Sequence, residues 1–300
     1  MSHPDSTPRL DSAATLALTP TADGSQTFYS PQFGEWFHSR DGAYQEAYVT
    51  YIEPTRLAAL AQGDRLRILD ICYGLGYNTA AALDTIWRVN PQCKIDWAGL
   101  ELNLAVPQAA IAQNLLQPWP PAVQATLAEL AAQQVIRRDG LQAKLWIGDA
   151  RQSIQSLNHQ GFQADVIFFD PFSPPHCPPL WTVDFFRQVA NCLKPTGRLA
   201  TYSCAAAVRA GWQEVGLHIG ATPALGRQWP GTLVGYGAIA AELQPLSPCE
   251  QEHLQTRAAV PYRDPDLTDT AAQIQARRQL EQQASTLLPT SQWRRRWLNQ

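Results

Sequence analysis

Four carboxylates in this 300-residue chain stand at or near the ends of apolar, strand-like runs. Leu66–Ile71 contains Asp70 and leads into Cys72-Tyr73-Gly74-Leu75-Gly76-Tyr77-Asn78. Lys94–Leu100 is followed by Glu101, Ala143–Ile147 by Gly148-Asp149, and Asp165–Phe169 by Asp170-Pro171-Phe172. Gly74 and Gly76 carry no Cβ, so the first turn can take positive φ and let a ligand approach its backbone. The helix that opens near Thr79-Ala80-Ala81-Ala82-Leu83 turns free N–H groups and its positive dipole end toward the same place. Glu101 is placed to accept from both hydroxyls of a ribose, and Asp149 from an adenine amino group, with Gly148 permitting close approach. Asp170 falls at the centre of the crevice, where a carboxylate can take a proton from an attacking amine. The cofactor-binding residues expected are Asp70, Tyr73, Gly74, Gly76, Asn78, Glu101, Gly148, Asp149 and Asp170. Each acid also has a plain structural alternative. Asp149 can cap a helix beginning near Arg151, Glu101 can be a solvated loop residue, and Asp170 can start a turn before proline. Coincidence at four strand ends favours a cofactor crevice.

The elements that must position these residues follow from the apolar pattern. Strand-like runs at Arg67–Ile71, Lys94–Leu100, Ala143–Ile147, Asp165–Phe169, Arg198–Tyr202 and Leu233–Ala240 alternate with helical stretches. These stretches lie near 78–89, 105–116, 122–136, 150–159, 181–193 and 205–215. That alternation predicts an α/β, doubly wound, mostly parallel sheet covered on both faces, with ligands beyond the carboxyl ends of its strands. His218–Ala221 and Leu233–Ala240 have no helix between them, which predicts an antiparallel edge hairpin and a class I methyltransferase (Rossmann-like) sheet. Residues 1–24, rich in Ser, Thr, Pro and Asp, are expected to be poorly ordered. Residues 25–64 read as an N-terminal β extension, with Tyr48–Ile52 among its short strands. Residues 65–244 form the main domain, and 245–300 a helical C-terminal tail.

Composition narrows the function classes. Net charge is −3, so no global basic field announces nucleic acid, although five Arg against one Glu from Arg277 onward make a basic tail. Six scattered cysteines form no CxxC pair, and the histidines show no ligand spacing, so neither a disulfide framework nor a metal is expected. The N-terminus lacks the pattern of a signal peptide, and no apolar run reaches the ~18 residues of a membrane span. A soluble, cytoplasmic protein is the expectation.

A dinucleotide reader would place a third glycine after Gly76. Asn78 and Ala81 occupy that region instead, which favours S-adenosyl-L-methionine, a ligand without a pyrophosphate. Asp170-Pro171-Phe172 is similar to the (Asp/Asn)-Pro-Pro-aromatic motif of enzymes that methylate amino groups, with Phe172 in place of the second proline. Phe172 and Phe37 are candidates to flank the acceptor. Pro174-Pro175 and Pro178-Pro179 would stiffen the loop that walls the pocket.

The chain resembles the methyltransferase half of the MnmC family of tRNA wobble-uridine modification enzymes and its stand-alone relatives. The resemblance rests on Ser39–Val49, Asp70–Asn78, Trp146–Asp149, Asp165–Thr182, Leu199–Ser203, Val208–Gly216 and Leu225-Gly226-Arg227. The run Asp170-x-Phe-x-Pro followed by Leu180-Trp181-Thr182 is its most specific part, and together the stretches cover roughly residues 25–240. Pro171, where the family more usually has glycine, and Cys204-Ala205-Ala206-Ala207 depart from its pattern. The resemblance implies a class I fold and methylation of the exocyclic amine of 5-aminomethyl(-2-thio)uridine in the tRNA anticodon stem-loop. It also implies a FAD-dependent oxidase in the two-part enzymes; no second glycine-rich turn follows residue 245, so the methyltransferase alone is expected. Arg209 and Arg227 lie in matching stretches and are candidates for RNA or pocket contacts. Trp293 and Trp297 would either stack bases or dock a terminal helix. A small-molecule N-methyltransferase or aminopropyltransferase, and a non-catalytic cofactor-binding module, remain alternatives.

Overall fold

Alternate side chains of a buried strand must enter two different cores, and β-strands of this chain do so. Val166 and Phe168 pack on one side of the main sheet, Ile167 and Phe169 on the other. The computed structural model describes residues 16–224 and 230–298. Its small N-terminal sheet comprises β1 (Ala17–Pro20), β2 (Gln26–Ser30) and β3 (Glu35–Trp36), all antiparallel. Helix α1 (Ala43–Glu46) continues into a π-helix over Ala47–Ile52, and α2 is Leu57–Leu60.

The main domain runs β4 (Arg65–Ile71), α3 (Tyr77–Val89), β5 (Lys94–Glu101), α4 (Ala105–Ala112) and α5 (Pro121–Gln133). Next come β6 (Val135–Arg138), β7 (Leu141–Ile147), α6 (Ala150–His159) and β8 (Ala164–Phe169). It ends with α7 (Val183–Asn191), β9 (Leu193–Thr201), α8 (Ala206–Glu214), β10 (His218–Ala221) and β11 (Thr232–Gly235). Strand order is β10-β11-β9-β8-β4-β5-β7-β6. The five strands from β9 to β7 are parallel; β11 and β6 run antiparallel to their inner neighbours. This is the doubly wound, mostly parallel sheet with an edge hairpin that the pattern predicts. The order reverses between β4 and β8, and a crevice opens there.

Four local expectations need correction. Residues 17–20, expected to be unstructured, form β1. Asp23 explains this: it accepts from Thr21 (2.8 Å), Ser25 N–H (3.0 Å) and Gln45 N–H (2.9 Å), so the polar residues build a turn. Tyr48–Ile52 is helical because Ala43, Ala47 and Tyr51, four apart, form a buried stripe. The helix expected over 122–136 stops at Gln133; Arg138 then pairs with Leu141 across an Asp139-Gly140 turn, making β6 an extra edge strand. The strand expected over 233–240 ends at Gly235, where the chain folds back and Ile239 packs over the glycine. A Cβ at Gly235 would meet the Ile239 Cδ1 at 2.3 Å.

The tail contains α9 (Pro248–His253), α10 (Ala271–Ala284) and α11 (Thr290–Trp297). Capping boxes at Ser247/Glu250 and Thr270/Gln273 start α9 and α10. Trp293 is buried, stacks on His253 at 3.9 Å and donates to the Cys249 carbonyl at 2.8 Å, so it docks α11 on α9. No helix among the described residues is long and apolar enough to cross a membrane.

Candidate active site

The turn after β4 is held by strand β5. Cys72 and Tyr73 N–H groups donate to the Leu100 carbonyl at 3.0 and 2.9 Å. Cys72, Gly74 and Gly76 all have positive φ (67°, 56° and 84°). A side chain at Gly76 would strike the Tyr73 hydroxyl at 2.5 Å, so the turn closes only with glycine there. Glu101, at the end of β5, accepts from Gly74 N–H and Asn103 N–H, each at 2.8 Å. Burial pushes its carboxyl up, opposed by these backbone donors. It is therefore a pin for the turn, buried, and not a solvated loop residue.

Asp149, after β7, caps α6 through Arg151 N–H at 2.8 Å and is gripped by the Arg151 guanidinium at 2.7 Å. The same guanidinium reaches Asp264 and the Asp269 carbonyl, both at 2.9 Å, and so ties the C-terminal segment to the crevice. Asp170, after β8, donates its N–H to the Ile71 carbonyl at 3.1 Å, which sets it beside the turn. One carboxylate oxygen accepts from Tyr51 and the other from Asn78 Nδ2 at 2.9 Å. Burial pushes the Asp170 carboxyl up to about 7, while both hydrogen bonds pull it down.

These residues meet at a cavity of about 920 Å³. Tyr73, Gly74, Glu101, Gly148, Asp149 and Asp170 line it. The N-terminal sheet supplies Phe33 and Phe37, and Thr268–Ala272 before and at the start of α10 form another wall. Phe172 stacks on Phe33 at 4.5 Å and meets Phe37 edge-on at 5.0 Å. Glu35 accepts from Ser173 N–H (2.8 Å) and Oγ (2.5 Å), clamping the loop after β8 to the N-terminal sheet.

Asp70, Gly76 and Asn78 are not among the cavity-lining residues. Asp70 is fully buried behind the turn; one oxygen accepts from Thr79 Oγ1 at 2.5 Å and the other has no partner. Burial pushes its carboxyl up to about 7, and the nearby charges of Asp170 and Glu101 add to the rise. Gly76 caps α3, and Asn78 serves Asp170. Arg209, expected at RNA or in the pocket, is buried elsewhere. It pairs with Glu250 at 2.7 Å and donates to Thr232 Oγ1 at 2.9 Å, holding α8 to β11 and α9. Arg227 lies outside the described residues. Sequence reasoning missed Tyr51, Glu35 and Arg151. Only Arg151, two residues after the capping Asp149, carried a local signal.

The donor set suits S-adenosyl-L-methionine. Glu101 retains acceptor capacity beside its two backbone donors, for a ribose diol. Asp149 and Gly148 stand at the next strand end and line the same cavity. Among the described residues no three His, Cys, Asp or Glu side chains converge as metal ligands would.

A family model described as S-adenosyl-L-methionine-dependent methyltransferase matches residues 107–236. The crystal structure of MNMC2 from Aquifex aeolicus superposes with a TM-score of 0.79 at 29% identity, covering 90% of this chain and 86% of that one. An uncharacterized protein of Methanocaldococcus jannaschii is 26% identical over 265 residues, 86% of this chain and 70% of its own length. The tRNA 5-methylaminomethyl-2-thiouridine biosynthesis bifunctional protein MnmC of Ralstonia nicotianae is 29% identical over 236 residues, 74% of this chain. That alignment spans 35% of the bifunctional protein, so the chain corresponds to about a third of it. With its sheet order, its turn and these likenesses, the chain has a class I methyltransferase fold, matches an S-adenosyl-L-methionine-dependent methyltransferase family over residues 107–236 and is similar to the methyltransferase part of MnmC proteins.

Proposed function

We propose that the protein N-methylates 5-aminomethyl(-2-thio)uridine at the wobble position of tRNA, giving the methylaminomethyl form. The observation that carries this reading is Asp170 itself. It is a carboxylate at the switch point, partly exposed to the cavity, with the Phe33–Phe172–Phe37 cluster beside it. The names of the relatives, which concern tRNA 5-methylaminomethyl-2-thiouridine, support the substrate.

When bound, S-adenosyl-L-methionine supplies an electrophilic methyl group, with Glu101, Gly148 and Asp149 holding its adenosine and the turn its amino-acid end. An alkylamine is mostly protonated near neutrality and has no lone pair to offer. Asp170, titrating near 7, is matched to accept that proton. The aromatic cluster gives an unstacked base a flat apolar surface, as RNA readers use. The clamp of Glu35 on Ser173 ties this wall to the N-terminal sheet.

The test offers labelled methyl donor and the purified protein to bulk tRNA from cells lacking it, followed by nucleoside analysis. A labelled methylaminomethyluridine that vanishes with Asp170→Asn is expected. Labelling of free amines with tRNA untouched would overturn the substrate assignment.

A further inference from the structure

One of the two side chains that hydrogen-bond the Asp170 carboxylate comes from the N-terminal segment, far away in sequence. Tyr51 is fully buried, and its ring lies edge-on against Phe168, the residue two before Asp170. It sits in the π-helix, where the Glu53 N–H reaches five residues back to the Tyr48 carbonyl at 2.9 Å. Such wide turns carry one surplus residue per ring and occur often at functional sites. Here the winding sends Tyr48 to Asp84 (2.8 Å) on α3 and Tyr51 to Asp170. Thr55 Oγ1 donates back to the carbonyls of Tyr51 (2.6 Å) and Ile52 (3.1 Å), which fixes the end of the wide segment. Without the Tyr51 hydroxyl one oxygen of Asp170 would lose a donor in an enclosed site.

We propose that Tyr51 is a positioning residue for methyl transfer: its hydroxyl fixes the carboxylate of Asp170 at the cavity, making the N-terminal segment part of the machinery. This rests on the assignment of Asp170 as the proton acceptor. The titratable groups around Asp170 are Asp70 on β4, Cys72 in the turn and Tyr202 after β9, with Glu101 acting on Asp70 and Cys72, Cys177 on Cys72 and Tyr202, and Glu35 on Tyr202. None is a cation. The two hydrogen bonds, from Tyr51 and Asn78, are thus what favour the charged form of Asp170 against burial.

The experiment titrates the Asp170 carboxyl by ¹³C NMR in the full chain without donor, its signal assigned with Asp170→Asn. Tyr51→Phe removes one donor, so the midpoint rises by about one pH unit. On tRNA, kcat/KM of Tyr51→Phe falls about tenfold at pH 6.5 and converges toward wild type by pH 9, with tRNA KM unchanged. Site-specific 3-fluorotyrosine at position 51, a stronger donor of nearly the same shape, moves the midpoint down and keeps the test open if the phenylalanine variant does not fold. An unmoved midpoint, or a loss equal at every pH, overturns the role of Tyr51. If Asp170→Asn stays active on tRNA, the parent reading fails, whatever the midpoint does.

Discussion

Asp70 makes the folded protein less stable as pH rises, and Asp70→Asn should remove that loss. An ordinary aspartate releases its proton near 3.8, whereas burial and neighbouring negative charge push this one up to about 7. Below pH 4 folded and unfolded chains both hold the proton, and Asp70 contributes no pH dependence. Between 4 and 7 the unfolded chain has released it while the folded chain retains it, so stability falls as pH rises and levels off above 7. The full span corresponds to a ceiling of about 4 kcal/mol. Asparagine still buries a polar amide group where one Asp70 oxygen already has no partner, which offsets part of this, so a gain of about 2 kcal/mol at pH 8 is expected. Asparagine keeps an oxygen for Thr79 and carries no charge. Urea unfolding of both proteins at pH 5 and pH 8 reads the effect. The variant should be clearly stabilised at pH 8 and much less so at pH 5. A difference independent of pH, or a loss at pH 8, would refute the reasoning.

Further outcomes follow from the same geometry. Cys72 holds φ 67°, a left-handed conformation that costs a side chain roughly 1–2 kcal/mol, so Cys72→Gly should stabilise by about 1 kcal/mol in urea unfolding. Arg209→Met leaves Glu250 buried and unpaired and should cost about 3–5 kcal/mol, whereas Arg209→Met with Glu250→Leu should recover most of it. That double variant should bind tRNA as wild type in a filter assay, because Arg209 faces the protein interior. Glu101→Gln turns an amide NH₂ toward one of two backbone N–H groups, and calorimetry should show S-adenosylhomocysteine binding about tenfold to a hundredfold weaker.

How much of this was legible in the sequence depended on distance along the chain. Glu101, Gly148, Asp149 and Asp170 could be placed together because each lies at or within two residues of the end of a parallel strand, and parallel strands deliver their ends to one rim. Asp149 caps α6, the plain structural alternative offered for it, and also lines the cavity. Asp139-Gly140 was present as a hairpin signal, yet the helical pattern before it drew the prediction across β6. Tyr51 and Asp170 are 119 residues apart, and nothing local marks them as partners. Arg209 shows the converse failure: an arginine in a helix looks available until tertiary structure brings Glu250 against it.

The π-helix makes the placement of Tyr51 depend on length as well as identity. An ordinary helix advances about 100° per residue, so excising one residue between Ala47 and Tyr51 would let the segment rewind and swing the phenol around the axis, off Asp170. Every side chain named at the reaction centre would still be encoded, and the sheet would be untouched. Chains that differ here by a single deletion can thus share a fold and the same cavity-lining residues while only one of them keeps the tyrosine hydrogen bond to Asp170.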